Sequence, residues 1–120
     1  MTAKSKPQRV ALHSVLRAGH IDGYRQDHAR VPDDLAEAYQ QVGIYEWEIW
    51  RSGLHIFHLV TCDDFDAAMK ALETHPANDA WMASIGVHID RFEGPDGEGL
   101  IPSEPLWTLM GQLGTSQRKV

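Results

Sequence analysis

Apolar positions recur along this chain with two different periods, and the switches between them predict its elements. "RVALHSVL" (9–16) is short, rich in apolar residues and bounded by polar ones, which predicts a strand. From residue 21, Ile21, Tyr24, Val31, Leu35, Ala38 and Val42 recur at the three-then-four spacing of an amphipathic helix, which Gly43 closes. His28 fills the missing beat of that series, where the pattern calls for Leu or Val. Four residues later comes Pro32, whose ring conflicts with the carbonyl of His28, so a backbone irregularity is expected there. "YEWEIW" (45–50) alternates, with Tyr45, Trp47 and Ile49 on one face and Glu46, Glu48 and Trp50 on the other. Arg51-Ser52-Gly53 forms a tight turn into "LHIFHLVT" (54–61), a third strand that is apolar on both faces.

Asp63 or Asp64 can cap a helix whose Phe65, Ala68, Met69 and Leu72 share one side. Pro76 suits the first turn of a further helix, with Trp81, Ile85, His88 and Ile89 on one stripe. "EGPDGEGLIPSEP" (93–105), with three Gly and three Pro, is a loop, and "LWTLM" (106–110) is a candidate closing strand. Residues 1–8 read as a flexible N-terminus, 9–110 as one domain and 111–120 as a loose tail. The order is βαββαβ with one extra helix, an α+β ferredoxin-like arrangement of an antiparallel sheet with helices on one face. The other face carries apolar and aromatic side chains in number, and pairing two such faces removes them from water. A homodimer is therefore expected.

Composition narrows the partners. A chain of 120 residues fits one domain, and 42% hydrophobic with 23% charged residues is ordinary for a soluble protein. A formal charge of −6 gives no electrostatic basis for binding nucleic acid or an anionic membrane. Cys62 has no intrachain partner, which suits a reducing compartment. No apolar run approaches the roughly 18–20 residues of a bilayer span, and "MTAKSKPQR" has no apolar region behind it. The expected location is the cytoplasm.

Seven histidines invite a metal site, but their spacing does not form one. His55 and His58 are three apart on a strand and point to opposite faces, and no H-E-x-x-H or C-x-x-C occurs. No metal and no cofactor is expected. "GPDGEG" resembles a phosphate loop only superficially and reads as a turn. Trp50 and Trp107 read as core or dimer-interface residues, whereas Trp47 and Trp81 are either core or stacking surfaces for sugar C–H bonds. His28 is either a buried, hydrogen-bonded structural imidazole or a proton-transfer group. Tyr24, one turn earlier on the same face, and the disturbance at Pro32 favour the second.

The stretch from Tyr24 and His28 through "YEWEIW", "IFHLVTCDDFDAAM" and "THPANDAW" resembles the L-rhamnose mutarotase family over about residues 9 to 90. These are small dimeric α/β-barrel proteins that interconvert sugar anomers. The resemblance implies that His28 is the proton donor and that Tyr24 contacts the sugar. It implies a substrate-touching aromatic at Trp47, where the rhamnose enzymes more often carry Tyr, and a Trp pair of which only Trp81 survives beside Ala80. Where the family shows Trp-Pro-Glu this chain has "VPDDL", with Pro32 one position early, and His58 replaces a small residue on the third strand. His58 is therefore a further candidate substrate-binding residue.

These departures cluster around the presumed pocket and favour another 6-deoxy sugar, L-fucose, over L-rhamnose. The resemblance thus implies a mutarotase acting on a monosaccharide by acid–base catalysis of ring opening and closure. Two alternatives come with the fold: a cofactor-independent monooxygenase-like protein and a non-catalytic sugar-binding dimer.

Overall fold

The computed structural model describes residues 7–93 and 101–114. Four antiparallel strands, β1 (Gln8–Leu16), β2 (Ile44–Ser52), β3 (His55–Cys62) and β4 (Ile89–Phe92), form one sheet in the order β2-β3-β1-β4. The expected ferredoxin-like arrangement is present. The period of two decides which face is buried: Leu12, Ser14 and Leu16 of β1 lie beside Ile56, His58, Val60 and Cys62 of β3, all buried.

The helices cover this face. Ala38 of α2 (Asp33–Gln41) and Phe65, Ala68 and Leu72 of α3 (Phe65–Leu72) pack with Leu12, Ile44, Val60 and Cys62. A second cluster joins Leu16 and Ile56 to Tyr24 of α1 (Ile21–Asp27) and Ile85 of α4 (Pro76–Ile85). Local chemistry starts two of these helices as expected. Asp64, the second of the two candidate caps, accepts from the Ala67 N–H at 3.0 Å, and Pro76 opens α4 where its missing N–H has no helical role.

Several expectations are corrected. The single helix expected from residue 21 to 42 is two helices, because Pro32 ends the ladder and becomes the residue preceding α2. The hairpin turn falls one residue late: Ser52 pairs with His55, and Gly53 (φ +60°) with Leu54 fills the two-residue turn. A register shift between Ile44 and Glu46 makes Tyr45 an extra residue. Ile44 and Trp47 therefore share the helix-covered face, and Tyr45 leaves the set expected with Trp47.

The closing strand is not 106–110. It is Ile89–Phe92, which follows a 3₁₀ turn (Gly86–His88), so His88 and Ile89 are not on the α4 stripe. Residues 106–108 are irregular, and Leu109–Leu113 form a short helix, α5, capped by Thr108. A four-residue strand needs little alternation in its sequence when its partner, β1, supplies the ladder. The expected tails at 1–8 and 111–120 and the loop at 93–105 lie largely outside the described residues.

Trp50 is 60% and Trp107 64% exposed, so neither is a core residue of the single chain. Trp50 stands opposite Phe57 on the uncovered face of the sheet, where Phe57 stacks on His13 with ring centroids 4.7 Å apart. Among the described residues, no helix is long and apolar enough to cross a membrane.

Candidate active site

His28 is the first residue past α1, and its ring folds back onto the helix it ends. Its Nδ1 donates to the Tyr24 carbonyl at 2.9 Å, the same oxygen that accepts the His28 backbone N–H at 3.2 Å. Because a carbonyl only accepts, the neutral ring carries its proton on Nδ1 and keeps a lone pair on Nε2. Desolvation lowers the pKa below the ordinary histidine value, more than the Tyr24 carbonyl and Asp27 raise it. At neutral pH this is an uncharged imidazole with one basic nitrogen. The Tyr24 ring lies 4.3 Å from the His28 ring, and Trp81 presents itself edge-on at 5.0 Å. Tyr24 is 6% exposed, and burial raises its pKa well above the usual phenol value, so it holds its proton.

A second group forms on the strands. The Trp47 indole N–H donates to His58 Nδ1 at 3.0 Å, which places the His58 proton on Nε2, 3.4 Å from Ser14 Oγ. Both His58 nitrogens are thus engaged inside the protein. Desolvation, with smaller contributions from His28 and His13, pushes its pKa down to about 4. Tyr39 of α2 stacks on Trp47 at 5.4 Å.

The two groups are within electrostatic reach of one another: His28 opposes the protonation of His58, and the Tyr39 phenol adds to the rise at Tyr24. The structure therefore gathers Tyr24, His28, Trp47, His58 and Trp81 on the helix-covered side of the sheet, while Ala80 faces solvent. The environment is aromatic, with two imidazoles that burial keeps neutral. It suits an uncharged ligand with both hydroxyls and C–H faces.

Sequence reasoning did not find Tyr39, Ser14 or a chain of three polar side chains beside α1. Tyr39 carried a signal, one turn after Leu35 on the apolar stripe. The others carried none. His88 Nε2 donates to Asp27 Oδ2 at 2.9 Å, and His88 Nδ1 lies 3.0 Å from His20 Nδ1. This contact joins residues 68 positions apart, and it braces the 3₁₀ turn against the helix that carries Tyr24. Gly23 makes room for it: a Cβ there would stand 2.7 Å from His88 Cε1. Among the described residues, no three His, Cys, Asp or Glu side chains converge to hold a metal. A separate cleft of about 560 Å³ runs past Arg17, His20, His55 and Arg91, but it shares no residue with the aromatic group. Asp90 pairs with both of its arginines.

Comparison with known proteins bears on this arrangement. A family model described as L-rhamnose mutarotase matches residues 9–109. Among solved structures, an L-rhamnose mutarotase from Formosa agariphila superposes with a TM-score of 0.68 at 17% identity, covering 85% of this chain and 98% of that one. The tetracenomycin F2 cyclase of Streptomyces glaucescens, a type-II polyketide cyclase, gives 0.59 at 17% identity, covering 84% and 95%. A NIPSNAP family protein from Agrobacterium tumefaciens gives 0.55 at 12% identity, covering 78% and 85%. No curated protein sequence gives a significant match. At these identities the superpositions speak for the fold alone.

Two outcomes follow from the geometry. In an ordinary helix Gly→Ala gains about 1 kcal/mol. Here Gly23→Ala should instead lose about 1 kcal/mol or more, because the ring it displaces is held at both nitrogens. Chemical denaturation reads the sign, and a gain would show that His88 is not pinned.

The second concerns acid stability. His58 titrates near 6.5 when unfolded and at about 4 when folded. Its contribution is therefore complete above pH 6.5 and is lost as the pH falls, on the order of 3 kcal/mol by pH 4. Urea unfolding at pH 7 and pH 4.5 should show a smaller acid loss in His58→Gln than in the parent. Equal losses would mean that His58 titrates freely in the fold.

Proposed function

The chain belongs to the L-rhamnose mutarotase family, and from that membership we propose that it interconverts the α and β anomers of a 6-deoxy-L-hexose, with L-fucose ahead of L-rhamnose, by acid–base catalysis at His28. The family is one of isomerases acting on carbohydrates, and this chain is an enzyme of that class. The observation that carries the mechanism is the His28 ring, with Nδ1 tied to the Tyr24 carbonyl, Nε2 left basic, and a tilted phenol and a perpendicular indole packed beside it.

Mutarotation removes a proton from the anomeric hydroxyl and adds one to the ring oxygen as the bond from C1 to that oxygen breaks. C1 becomes an aldehyde, rotates about its bond to C2, and the ring recloses on the other face. His28 Nε2 takes the first proton. The two oxygens share one carbon, so the imidazolium can return that proton to the ring oxygen without a second strong acid. Tyr24, whose hydroxyl has no protein partner among the described residues and stays protonated, is suited to donate a hydrogen bond to the substrate. His58 is poorly suited to be the base, because Trp47 already occupies its lone pair. Trp47 and Trp81 supply apolar surface for the sugar's C–H face and methyl group.

The fucose preference rests on the positions where this chain departs from the rhamnose pattern: Pro32, Trp47, His58 and Ala80. L-fucose and L-rhamnose differ in configuration at C2 and C4, so a change of polar groups around the pocket bears directly on that choice. The lone Cys62, buried and unpaired, suits the reducing cytoplasm. The exposed Trp50 and Phe57 support a homodimer formed through the uncovered sheet face.

Exchange of anomers, followed by saturation-transfer NMR, tests the mechanism. His28→Asn should stay folded while exchange falls by about two orders of magnitude or more. In the parent the rate should decline as the pH drops below the lowered imidazole pKa, and no phenol-dependent limb should appear up to the ordinary tyrosine range. Normal exchange in a folded His28→Asn protein would end the assignment, and faster exchange of L-rhamnose than of L-fucose would reverse the substrate preference alone. For the dimer, light scattering across a dilution series should show twice the chain mass at micromolar concentration. A monomer there would remove the claim.

A further inference from the structure

Tyr39 is held in a way its own packing does not explain. The ring stacks on Trp47 with centroids 5.4 Å apart and an interplanar angle of 25°, and it packs against the core cluster of Leu12, Ala38 and Val60. A phenylalanine would make the same contacts. What tyrosine adds is the hydroxyl, and among the described residues that hydroxyl has no hydrogen-bond partner, although desolvation pushes its pKa up to about 12. Nor is it sealed away, since among the described residues no fully enclosed side-chain polar atom lacks a partner. Water can reach the hydroxyl, but the fold gives its partial desolvation no compensating bond, and phenylalanine would keep every packing contact without it. The group therefore sits where a ligand oxygen can meet it.

Its neighbours point to the same space. Tyr39 is near enough to Tyr24 to disfavour ionisation of that phenol. It stacks on the indole whose N–H is already committed to His58, so Trp47 itself has no donor left for a ligand. Tyr24, His28 and Trp81 supply one side of the aromatic group, and beside Trp47 the Tyr39 hydroxyl is a donor with no protein partner among the described residues.

We infer that Tyr39 is a second substrate-binding phenol, donating its O–H to a sugar oxygen on the Trp47 side of the site. This deepens the mutarotase reading and rests on it. Tyr24 and Tyr39 then hold the sugar from two elements, α1 and α2, on either side of the break at Pro32. Specificity follows from the same geometry. A fixed donor rewards a substrate hydroxyl of one configuration and leaves the other unpaired.

Tyr39→Phe tests this. The variant should melt at the same temperature as the parent or higher, because it loses an unpartnered hydroxyl and no contact. Its kcat/KM for anomer exchange should fall about 10-fold or more, chiefly through KM, with the pH profile set by His28 unchanged. Monodeoxy analogues of the better sugar locate the contact. The analogue lacking the bonded oxygen should be exchanged equally well by parent and variant, while the others keep the 10-fold difference.

Full activity in Tyr39→Phe would overturn the inference and leave the mutarotase reading intact. A variant that unfolds or melts several degrees lower would also overturn it, by showing that the hydroxyl already has a structural partner. A parent that exchanges no aldose above the buffer rate would remove the mutarotase reading, and this inference with it.

Discussion

The interruption of the helical ladder at Pro32 is the constraint on which the site depends. A helix running without a break from Ile21 to Gln41 would have carried His28 through as one more outward or inward position. Pro32 has no N–H to offer the His28 carbonyl and biases Val31 away from helical geometry, so the chain leaves α1 after Asp27 and restarts as α2 at Asp33. His28 becomes a terminal residue, and its ring turns back to bond the Tyr24 carbonyl at 2.9 Å. That single bond fixes the tautomer, the orientation and the free nitrogen together. Tyr24 and Tyr39 lie on either side of the break at Pro32.

A second constraint is that the polar groups in this region are buried without being charged. His58 lies on the core face of β3, 6% exposed, and is tolerated because Trp47 and Ser14 satisfy both of its nitrogens. His28 is kept neutral mainly by desolvation. The result is a group of neutral, partly desolvated polar side chains in which each donor and acceptor counts for more than it would in water. The same burial makes the fold sensitive to acid, since both rings must be protonated against their surroundings as the pH falls. On the proposed mechanism, stability and chemistry draw on one set of side chains.

Much of the fold could be read locally. The short apolar runs "RVALHSVL" and "LHIFHLVT" and the alternation in "YEWEIW" located three strands, Asp64 and Pro76 marked two helix starts, and Pro32 marked the irregularity at its correct place. The fourth strand was misplaced because Ile89–Phe92 is too short to show a period, and Ile89 happens to continue the spacing of Trp81 and Ile85. Face assignments failed at Tyr45, where a one-residue shift in register inverts everything before it.

The sequence by itself determined the fold class, three of the strands, two of the helix starts, the closeness of Tyr24 and His28 along the chain, and the family to which the chain belongs. These are fixed by neighbours within a turn or two, and by a motif whose spacing is itself short. Tertiary structure alone decided which nitrogen of His28 is basic, that the lone pair of His58 is already taken, and that Tyr39 stands over Trp47. It alone brought His20, His88 and Asp27 together around the space left by Gly23. The His88 contacts join residues more than sixty positions apart, while the others depend on how the chain leaves α1, on the pairing of β2 with β3, and on desolvation by the assembled core, none of which local spacing spells out.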